Sequence, residues 1–162
     1  MPVWPSEEWT EAFRQLINGS AEYREAAHDW EGTVVYHFQA EPDRGLLEDV
    51  YGWFDLWHGE CRDAKQVAAE EAAKGDYVVS APYSTWKQVL KKELDPMRAV
   101  MQGRLKLKGD LPTAVRYTKA SLILQDLAGR VPDTEFLDEL APERLRELAE
   151  EGLPVGVPGE AR

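Results

Sequence analysis

The stretch DPMRAVMQGRLKLKGDL at residues 95–111 constrains the fold most, because it places a short strand between two helices. Its middle, residues 104–108, alternates cationic and leucine side chains with the period of two that a β-strand has. Leu105 and Leu107 therefore share one face of that strand, and the cations share the other. Gly103 before the strand and a Gly-Asp pair after it supply the turns.

Helices are predicted on both sides of this strand. Asp95 can cap a helix that has Pro96 in its first turn, where the missing N–H costs little. Met97 and Met101 then lie on one side of that helix. Residues 111–128 predict one long helix, whose apolar side chains cover more of its circumference than one buried stripe needs. This surplus indicates contact with the sheet on one side and with a ligand or a second helix on another.

The other segments complete a mixed pattern of helices and strands. Apolar residues spaced three or four apart predict amphipathic helices, and β-branched or aromatic runs predict strands. Further helices are predicted at 7–18, 21–29, 82–93 and 141–151, and further strands at 33–38, 49–58 and 76–80.

Residues 61–75 carry two conflicting signals. Intrinsic propensity favours a helix over residues 63–75. The short turn at residues 58–60 instead favours a hairpin, which needs a strand immediately after it. We therefore predict a strand over residues 61–68, followed by a helical turn or loop over residues 69–75.

The composition argues against several classes of protein. A net charge of −11 over 162 residues disfavours nucleic-acid binding, which needs clustered cations. No window approaches the roughly 18–20 apolar residues of a membrane-spanning helix. The N-terminus, MPVWPSEEW, has no basic region followed by an apolar run, so we expect no signal peptide. The lone Cys61 cannot form an internal disulfide, and a reducing, cytoplasmic location is the expectation.

The charge is nevertheless uneven along the chain. Residues 87–119 contain nine Lys and Arg and three acidic residues, a balance of +6, whereas the rest of the chain has a balance of −17. One interpretation is that acidic helices elsewhere pack beside this segment, since most charge runs are solvated faces. The other is a docking face for a membrane with anionic headgroups or for an acidic partner.

Residues that could support catalysis or metal binding are few. His58 and Cys61 form a lone pair with metal-like spacing, but zinc needs three or four ligands. A nucleophilic Cys61 needs an adjacent base and a lowered pKa. Asp55 lies between two tryptophans on a predicted strand and becomes interesting only if it is buried without a partner. The sequence predicts no catalytic residue, no metal and no cofactor, with a hydrolase or transferase at Asp55 or His58 as an alternative.

A further group of residues is apolar and is concentrated between residues 86 and 122. An apolar site with few polar groups suits a sterol or an acyl chain, because burying each CH₂ group contributes about 0.8 kcal/mol. Methionine adapts to ligands of varied shape. The same residues can also form a packed core. They are Trp86, Leu90, Met97, Met101, Leu105, Leu107, Leu111, Val115 and Leu122.

Four motifs, taken together, resemble the SCP-2 sterol carrier family. They are WEGTVVYHF at 30–38, WHGEC at 57–61, SAPYSTWKQVL at 80–90 and GRLKLKGD at 103–110, and the resemblance covers most of residues 10–130. It implies an α/β fold of the α+β type, with about five mainly antiparallel strands packed with helices around an apolar cavity. We expect one domain over residues 1–162, with N-terminal helices (1–29), a core (30–130) and a C-terminal extension (131–162).

The resemblance also implies a function and a set of ligand-binding residues. In the family, the late strand and the helix after it form part of the cavity wall. Carried over, this implies the nine apolar residues named above as the ligand-binding set, without catalytic residues. The implied function is non-enzymatic binding or transfer of a fatty acyl chain, a fatty acyl-CoA or a sterol-like lipid. The longer N-terminus resembles prokaryotic members, which favours acyl chains or other lipids over sterol. The alternative is an interaction or scaffold module of the same fold, as a homodimer or beside an enzyme.

Overall fold

The computed structural model of the protein describes residues 1–160, so the last two residues of the predicted C-terminal extension lie outside the described part. The strands are β1 (Val3–Trp4), β2 (Glu31–Gln39), β3 (Val50–Trp57), β4 (Glu60–Val67), β5 (Tyr77–Pro82), β6 (Lys106–Lys108) and β7 (Glu135–Phe136). The helices are α1 (Glu7–Asn18), α2 (Ala21–Ala26), α3 (Ala69–Ala72), α4 (Tyr83–Leu90), α5 (Pro96–Met101), α6 (Leu111–Arg116), α7 (Thr118–Ala128) and α8 (Pro142–Glu150). Within that range, no helix is both long enough and apolar enough to cross a bilayer.

Strands β2 to β6 form one sheet in the order β4-β3-β2-β5-β6. Antiparallel pairs join β4 to β3, β3 to β2 and β5 to β6, whereas β2 and β5 run parallel. The predicted α+β fold, with about five mainly antiparallel strands packed with helices, is therefore confirmed.

Two helices begin with a side-chain cap, and that of Asp95 was predicted from the sequence. The Ser6 Oγ accepts a hydrogen bond from the Trp9 backbone N–H at 3.1 Å at the start of α1. The Asp95 carboxylate accepts one from the Arg98 N–H at 3.0 Å at the start of α5. In both cases the side chain satisfies an N–H group that has no partner inside the helix.

The ambiguous segment after the turn at residues 58–60 is a strand, as the hairpin signal predicted. It forms β4 against β3, and α3 is a single helical turn after it. His58 and Gly59 adopt positive φ angles of 49° and 83° in the turn. A Cβ at Gly59 would lie 2.7 Å from the backbone of Arg24, so this position requires glycine. Pairing with β3 overrides the helix propensity of the segment.

The predicted helix over residues 111–128 is wrong in one respect, because it is interrupted at Tyr117. This residue has φ −104° and ψ 29°, and it separates α6 from α7. The Thr118 hydroxyl donates a hydrogen bond to the Val115 carbonyl oxygen at 2.6 Å, which competes with helical backbone pairing. The Tyr117 ring also packs edge-on against Trp30, with ring centroids 4.8 Å apart.

Most of the helices cover one face of the sheet, which we call the inner face. Along β3, Gly52, Phe54 and Leu56 are buried on this face, and the residues between them lie on the outer face with partial exposure. The short helix α3 packs against β3. The sequence pattern of β3, apolar on both faces, fits a central strand that is covered fully on one side and partly on the other.

The two ends of the chain pack together on the rest of the fold. Strands β1 and β7 pair in parallel, with Val3 opposite Glu135 and Trp4 opposite Phe136. Further along, Val155 is buried and forms a β-bridge with Leu46. The C-terminal segment therefore belongs to the same continuous hydrophobic cluster as the sheet and helices.

Candidate functional site

An apolar pocket of about 170 Å³ lies between the inner face of the sheet and the helices that cover it. Aromatic and aliphatic side chains form most of its wall. A cavity of about 150 Å³ between apolar side chains is large enough to hold benzene. The pocket therefore has room for a short stretch of hydrocarbon in this conformation.

The sheet contributes inner-face residues from four of its strands. Tyr36 of β2 packs edge-on against Phe54 of β3 and Trp86 of α4, with ring centroids 5.3 and 5.5 Å apart. Gly52 leaves space beside them, since a Cβ at this position would lie 3.2 Å from the Phe54 ring. Leu107 of β6 extends the wall toward the edge of the sheet.

The well-covered side of the pocket is formed by α1, α2 and α4. Trp9 and Phe13 of α1 pack against each other with ring centroids 5.2 Å apart, and Phe13 reaches Phe54 at 5.4 Å. The Trp9 Nε1–H donates a hydrogen bond to the Thr134 hydroxyl at 3.2 Å, which fixes the indole. The lining residues of these three helices are buried, so this side of the pocket is closed.

The side formed by α5, α6 and α7 is covered less completely. Met97, Val100, Ala114 and Leu124 line the pocket and are partly exposed. Helices α5 and α6 contain six residues each. The partial exposure of this wall indicates that the pocket opens on this side.

Five of the nine residues predicted to bind the ligand line this pocket. They are Trp86, Leu90, Met97, Leu105 and Leu107. The structure does not bring the other four to the pocket wall. Met101, Leu111, Val115 and Leu122 are exposed by 60, 36, 38 and 41%, respectively.

Helix rotation explains why these four residues lie outside. In α7, Ser121 and Leu124 line the pocket, and Leu122 is about 100° further round the helix than Ser121. In α6, Ala114 lines the pocket and its neighbour Val115 is exposed. The break at Tyr117 sets the orientation of each short helix separately, so a single apolar band over residues 111–128 does not describe the wall.

Sequence reasoning misses much of the aromatic lining of the pocket. From the sequence alone, Trp9 and Trp30 are expected in the core, with a cavity role as the alternative. A high content of large aromatic residues is the available signal, but core and cavity wall share it. The missed aromatic residues include Trp4, Phe13, Tyr23, Phe38, Phe54, Tyr77 and Tyr117.

The polar side chains of the pocket wall are uncharged. Every fully enclosed side-chain oxygen or nitrogen of residues 1–160 has a hydrogen-bond partner. Tyr23 and Tyr36 are among the polar residues that line the pocket. Burial raises the pKa of both phenols well above the usual range, so both stay protonated and can donate to a ligand. The Gln125 amide is instead already used, because it donates to the carbonyl oxygens of Val89 and Leu94 at 2.8 and 2.9 Å.

Comparison with known proteins places this chain in a family. Residues 13–120 match the SCP-2 sterol transfer family, which is two thirds of the chain. The chain belongs to the SCP-2 sterol transfer family.

Solved structures share the SCP-2 fold with this chain. A crystal structure of sterol carrier protein 2 is 37% identical, covers 77% of this chain and 96% of its own, and has a TM-score of 0.71. The solution structure of a protein from Thermus thermophilus, described as possibly a sterol carrier protein, is 38% identical, with coverage of 78% and 87% and a TM-score of 0.71. The apo form of Sterol Carrier Protein 2 from Yarrowia lipolytica is 17% identical, with coverage of 75% and 89% and a TM-score of 0.50. Comparison with curated protein sequences gave no match.

In this SCP-2 family member, the residues considered for catalysis lie outside the pocket wall. Asp55 accepts two hydrogen bonds from Arg62 at 3.0 and 3.1 Å, and His58 pairs with Glu31 at 2.6 Å. Burial raises the pKa of the Cys61 thiol to about 12, so the thiol is protonated at neutral pH and poorly nucleophilic. Across residues 1–160, no three His, Cys, Asp or Glu side chains converge where they could hold a metal ion. These positions give no support to a hydrolase or transferase.

A hydrogen-bonded chain of Ser80, His37 and Asp49 lies on the outer face of the sheet, and the sequence did not predict it. His37 Nδ1 lies 2.8 Å from the Ser80 Oγ, and His37 Nε2 lies 2.9 Å from Asp49 Oδ2. These residue types also activate serine nucleophiles. However, Ser80 lies in β5 between β2 and β6, where the backbone N–H groups serve the sheet and are not free to bind an oxyanion. Asp49 also accepts a hydrogen bond from the Ala40 N–H at 2.7 Å. The hydrogen bonds among Ser80, His37 and Asp49 therefore hold the loop over residues 40–49 against the sheet.

The basic segment over residues 87–119 divides into two parts. Its first three lysines pair with acidic residues that come later in the chain, which matches the interpretation of acidic elements packed beside it. These pairs are Lys87 with Asp138 at 2.8 Å, Lys91 with Glu139 at 3.2 Å, and Lys92 with Asp126. The cations after residue 95 form a second group with a different environment.

Proposed function

We propose that this SCP-2 family member binds the hydrocarbon part of a lipid in its apolar pocket and catalyses no reaction on it. Family and fold support lipid binding or transfer in general. The observation that carries the proposal is the apolar pocket between the sheet and the helices. Because each buried CH₂ group contributes about 0.8 kcal/mol, affinity should increase with the length of chain that enters.

The size of the pocket favours a flexible chain over a rigid sterol. A volume of about 170 Å³ accepts a short hydrocarbon directly, whereas a fused ring system must open the pocket before it can enter. A chain can instead enter progressively as the wall moves. The short helices α5 and α6 are the part of the wall that we expect to move, because they are the least covered.

The chemistry of the wall favours a ligand whose buried part is uncharged. No lysine or arginine of the described chain lines the pocket, and an ionised carboxylate without a partner is costly to bury. Tyr23 and Tyr36 can each donate a hydrogen bond to a neutral acceptor, such as an alcohol or ester oxygen. A fatty acid or acyl-CoA is therefore expected to enter tail first, with its charged group at the opening.

Thermal unfolding and native mass spectrometry with a ligand panel test this proposal. The panel contains palmitoyl-CoA, hexadecanol and alcohols of decreasing chain length. A ligand at about 100 times its Kd should stabilise the protein by about 2.7 kcal/mol, which raises the Tm by about 5–10 °C. Shorter alcohols should raise the Tm less at equal concentration.

A pair of variants on α6 provides the control. Ala114→Trp fills the pocket and should abolish the shift, whereas Val115→Trp, the next residue and outside the pocket, should retain it. No shift and no bound lipid with any member of the panel would overturn the proposal and favour the alternative of an SCP-2 scaffold module. We place the function in the cytoplasm, where the free and buried Cys61 stays reduced.

A further inference from the structure

Three aromatic rings meet at the end of the pocket where strands β2 and β5 begin. Between ring centroids, Trp30 lies 5.0 Å from Tyr77 and 4.8 Å from Tyr117. All three residues line the pocket. Because β2 and β5 run parallel, the chain enters both strands at this end, and the break between α6 and α7 packs against it. We call Trp30, Tyr77 and Tyr117 the aromatic rim.

Hydrogen bonds and close packing hold the rings of the aromatic rim in place. The Trp30 Nε1–H donates a hydrogen bond to the Gly32 carbonyl oxygen at 3.0 Å. A Cβ at Gly32 would lie 3.4 Å from the Tyr77 ring and 3.5 Å from the Trp30 ring, so both rings pack against this glycine. The Tyr117 hydroxyl donates a hydrogen bond to Asp29 Oδ1 at 3.0 Å. The aromatic rim is therefore formed before a ligand arrives, which lowers the cost of binding.

Three exposed carboxylates lie around the aromatic rim. Asp29 and Asp76 directly precede two of the rim residues in the chain. A Cβ at Gly109 would lie 2.6 Å from the Tyr77 ring, which places Asp110, the next residue, near the same ring. Burial and the charges of Asp110 and Asp76 raise the pKa of the Tyr77 hydroxyl. Within residues 1–160, none of the three carboxylates forms an ion pair with a lysine, arginine or histidine.

The cations close in sequence to the aromatic rim lie outside the pocket wall. Arg116 precedes Tyr117 and is exposed. The Lys108 ammonium donates a hydrogen bond to the Ala73 carbonyl oxygen at 3.2 Å, on the outer side of the sheet. No lysine or arginine of the described chain lines the pocket. This end of the pocket therefore combines aromatic rings with negative charge, and both attract a cation.

We propose that the aromatic rim binds the quaternary ammonium group of a cationic amphiphile whose chain lies in the pocket. This proposal rests on the proposed function, because it names the head of a ligand whose tail the pocket holds. Aromatic rings and carboxylates both attract a quaternary ammonium, whose methyl groups need no hydrogen-bond acceptor. A primary ammonium needs acceptors for its three N–H groups, which the rings do not supply. The hydrogen bond from Tyr117 to Asp29 polarises the phenol and strengthens the attraction of its ring for a cation.

The charge around the aromatic rim favours an amphiphile with a net positive charge over a zwitterionic one. A phosphate next to the ammonium would lie near the same three carboxylates, and like charges at close range repel each other. Tyr77 and Tyr117 are partly exposed, so the bound ammonium stays in contact with water and avoids most of the cost of burying a charge. Salt should weaken the part of the attraction that comes from the exposed carboxylates.

Ligands with the same decyl chain and different heads test the proposal on the full-length protein. Displacement of an uncharged fluorescent probe at low salt measures the affinities of decyltrimethylammonium, decylammonium, decyl sulfate and decanol. Decyltrimethylammonium should bind about tenfold more tightly than decyl sulfate and about fivefold more tightly than decylammonium. Equal affinity for decyl sulfate would overturn the cation site, and equal affinity for decylammonium would overturn its preference for a quaternary group.

Two variants of Tyr117 separate the ring from its hydroxyl. The readout is the affinity for decyltrimethylammonium divided by the affinity for decanol, so a change in the pocket that affects both ligands equally cancels. Tyr117→Leu removes the ring and should lower this ratio about fivefold, whereas Tyr117→Phe keeps the ring and should lower it by less than about twofold. An unchanged ratio in Tyr117→Leu would overturn the proposal.

A matched pair of double variants tests the carboxylates. Asp29→Asn with Asp110→Asn removes two charges at the aromatic rim and should lower the same affinity ratio about threefold at low salt. Asp43→Asn with Glu150→Gln removes the same charge from exposed positions outside the pocket wall and should leave the ratio unchanged. Equal loss in both double variants would show that net charge attracts the ligand, and would overturn the role of the aromatic rim.

Failure of the aromatic rim and failure of the pocket are distinguishable in these experiments. Absence of decanol binding by the wild type would overturn the proposed function, and the rim proposal with it. Decanol binding without a preference for decyltrimethylammonium would overturn the rim proposal alone. Decylphosphocholine identifies the source of the ammonium: weaker binding than that of decyltrimethylammonium supports a net cationic amphiphile. Equal or tighter binding would overturn the net positive charge and assign the aromatic rim to a choline phospholipid.

Discussion

The hydroxyls of Tyr23 and Tyr36 are the polar groups that most directly limit what the pocket can hold. Both phenols are protonated because burial raises their pKa, and both residues line the pocket. A donor in an apolar site without an acceptor costs free energy, so a ligand oxygen placed beside it is favoured. The pair therefore selects for a neutral acceptor on the buried part of the ligand.

Replacement of these hydroxyls should change ligand preference more than stability. Tyr36→Phe and Tyr23→Phe keep the rings and remove one donor each, so each should weaken binding of 1-octanol by about 2–10-fold, as the loss of one hydrogen bond predicts. Binding of octane, which has no acceptor, should not change. Displacement of a fluorescent probe measures both affinities. Equal loss for octanol and octane would mean that the rings, not the hydroxyls, determine binding.

Asp49 should make stability depend on pH through its charge. Burial alone would raise the pKa of this carboxyl, but hydrogen bonds from the Ala40 N–H and His37 more than offset it and hold the pKa below the usual value. A lowered pKa in the folded state stabilises the protein above about pH 4, and this contribution is lost as the pH falls through the lowered pKa.

Asp49→Asn keeps the shape of the side chain and removes this charge. The Tm at pH 7 should fall by about 1–3 °C, because the electrostatic contacts of a partly exposed carboxylate contribute less than about 1 kcal/mol. The difference from wild type should narrow as the pH falls below about 4, and it should vanish only below the lowered pKa, where the folded wild-type carboxyl also becomes neutral. Thermal melts of both proteins at pH 7 and below about pH 4 measure this difference in Tm. A Tm difference that is independent of pH would contradict this role of the charge.

At the level of single residues, the sequence pattern separates the two sides of a strand more readily than the sides of a helix. Leu107 of β6 and Leu105 just before it line the pocket because alternate residues of an extended segment share one face, and the cations marked the other face. On α6 and α7, an apolar residue can face the pocket, another helix or solvent. Val115 and Leu122 are apolar yet exposed, and only the rotation of each helix decides this.

Among the elements, α5 is a weakly anchored part of the pocket wall. It has six residues and one buried side chain, that of Ala99, whereas α1 has twelve residues and is anchored by buried Trp9, Phe13 and Ile17. Both helices begin with a side-chain cap. Their caps therefore have similar chemistry but unequal importance for the local order of the wall.

Removal of the two caps should separate local from global effects. Each substitution removes about 1 kcal/mol of capping. Ser6→Ala should lower the Tm, because α1 unfolds with the core. Asp95→Ala should mainly increase hydrogen exchange in α5 and change ligand affinity, with a smaller change in Tm. Hydrogen-exchange mass spectrometry distinguishes the two, and equal exchange of α5 in both variants would show that α5 is not an independent part of the wall.

Element type was predictable where a local signal and the long-range pairing agree. The hairpin turn before β4 fixed a strand against a strong helix propensity, since β3 was available as its partner. The break at Tyr117 was not predictable, because it depends on a Thr118 hydroxyl bond and on packing against Trp30, neither of which appears in the apolar pattern. The Ser80–His37–Asp49 chain likewise needs strands that are distant in sequence to become neighbours.

For the whole molecule, the C-terminal segment beyond the region matched by the family is part of the packing. Leu137, Leu145, Leu148 and Val155 are at most 3% exposed and belong to the main hydrophobic cluster. The Leu137 N–H donates to the Tyr83 hydroxyl at 2.9 Å. The expected single domain therefore implies that this extension unfolds with the core.

Truncation of the C-terminal extension tests this implication, because the surface that the extension buries determines how much unfolding free energy its removal should cost. Full burial of one aliphatic side chain contributes about 1.5–3 kcal/mol, so four such residues contribute an amount comparable to the roughly 5–15 kcal/mol of a typical domain. Truncation after Arg130 should leave a chain with little or no cooperative unfolding transition, whereas full-length protein should unfold in urea in one transition. It also removes Phe136, which packs against Trp4 of the pocket wall with ring centroids 5.7 Å apart.

Truncation after Val157 is the matched control, because it retains every buried residue named above. It should keep a urea midpoint close to that of the full-length protein, since the residues removed from the described chain are exposed. If the shorter chain, ending at Arg130, also keeps its midpoint and its ligand-induced Tm shift, the region matched by the family is an autonomous unit. In that case the extension covers the fold without contributing to its stability, and Trp4 must find other packing partners at its end of the pocket.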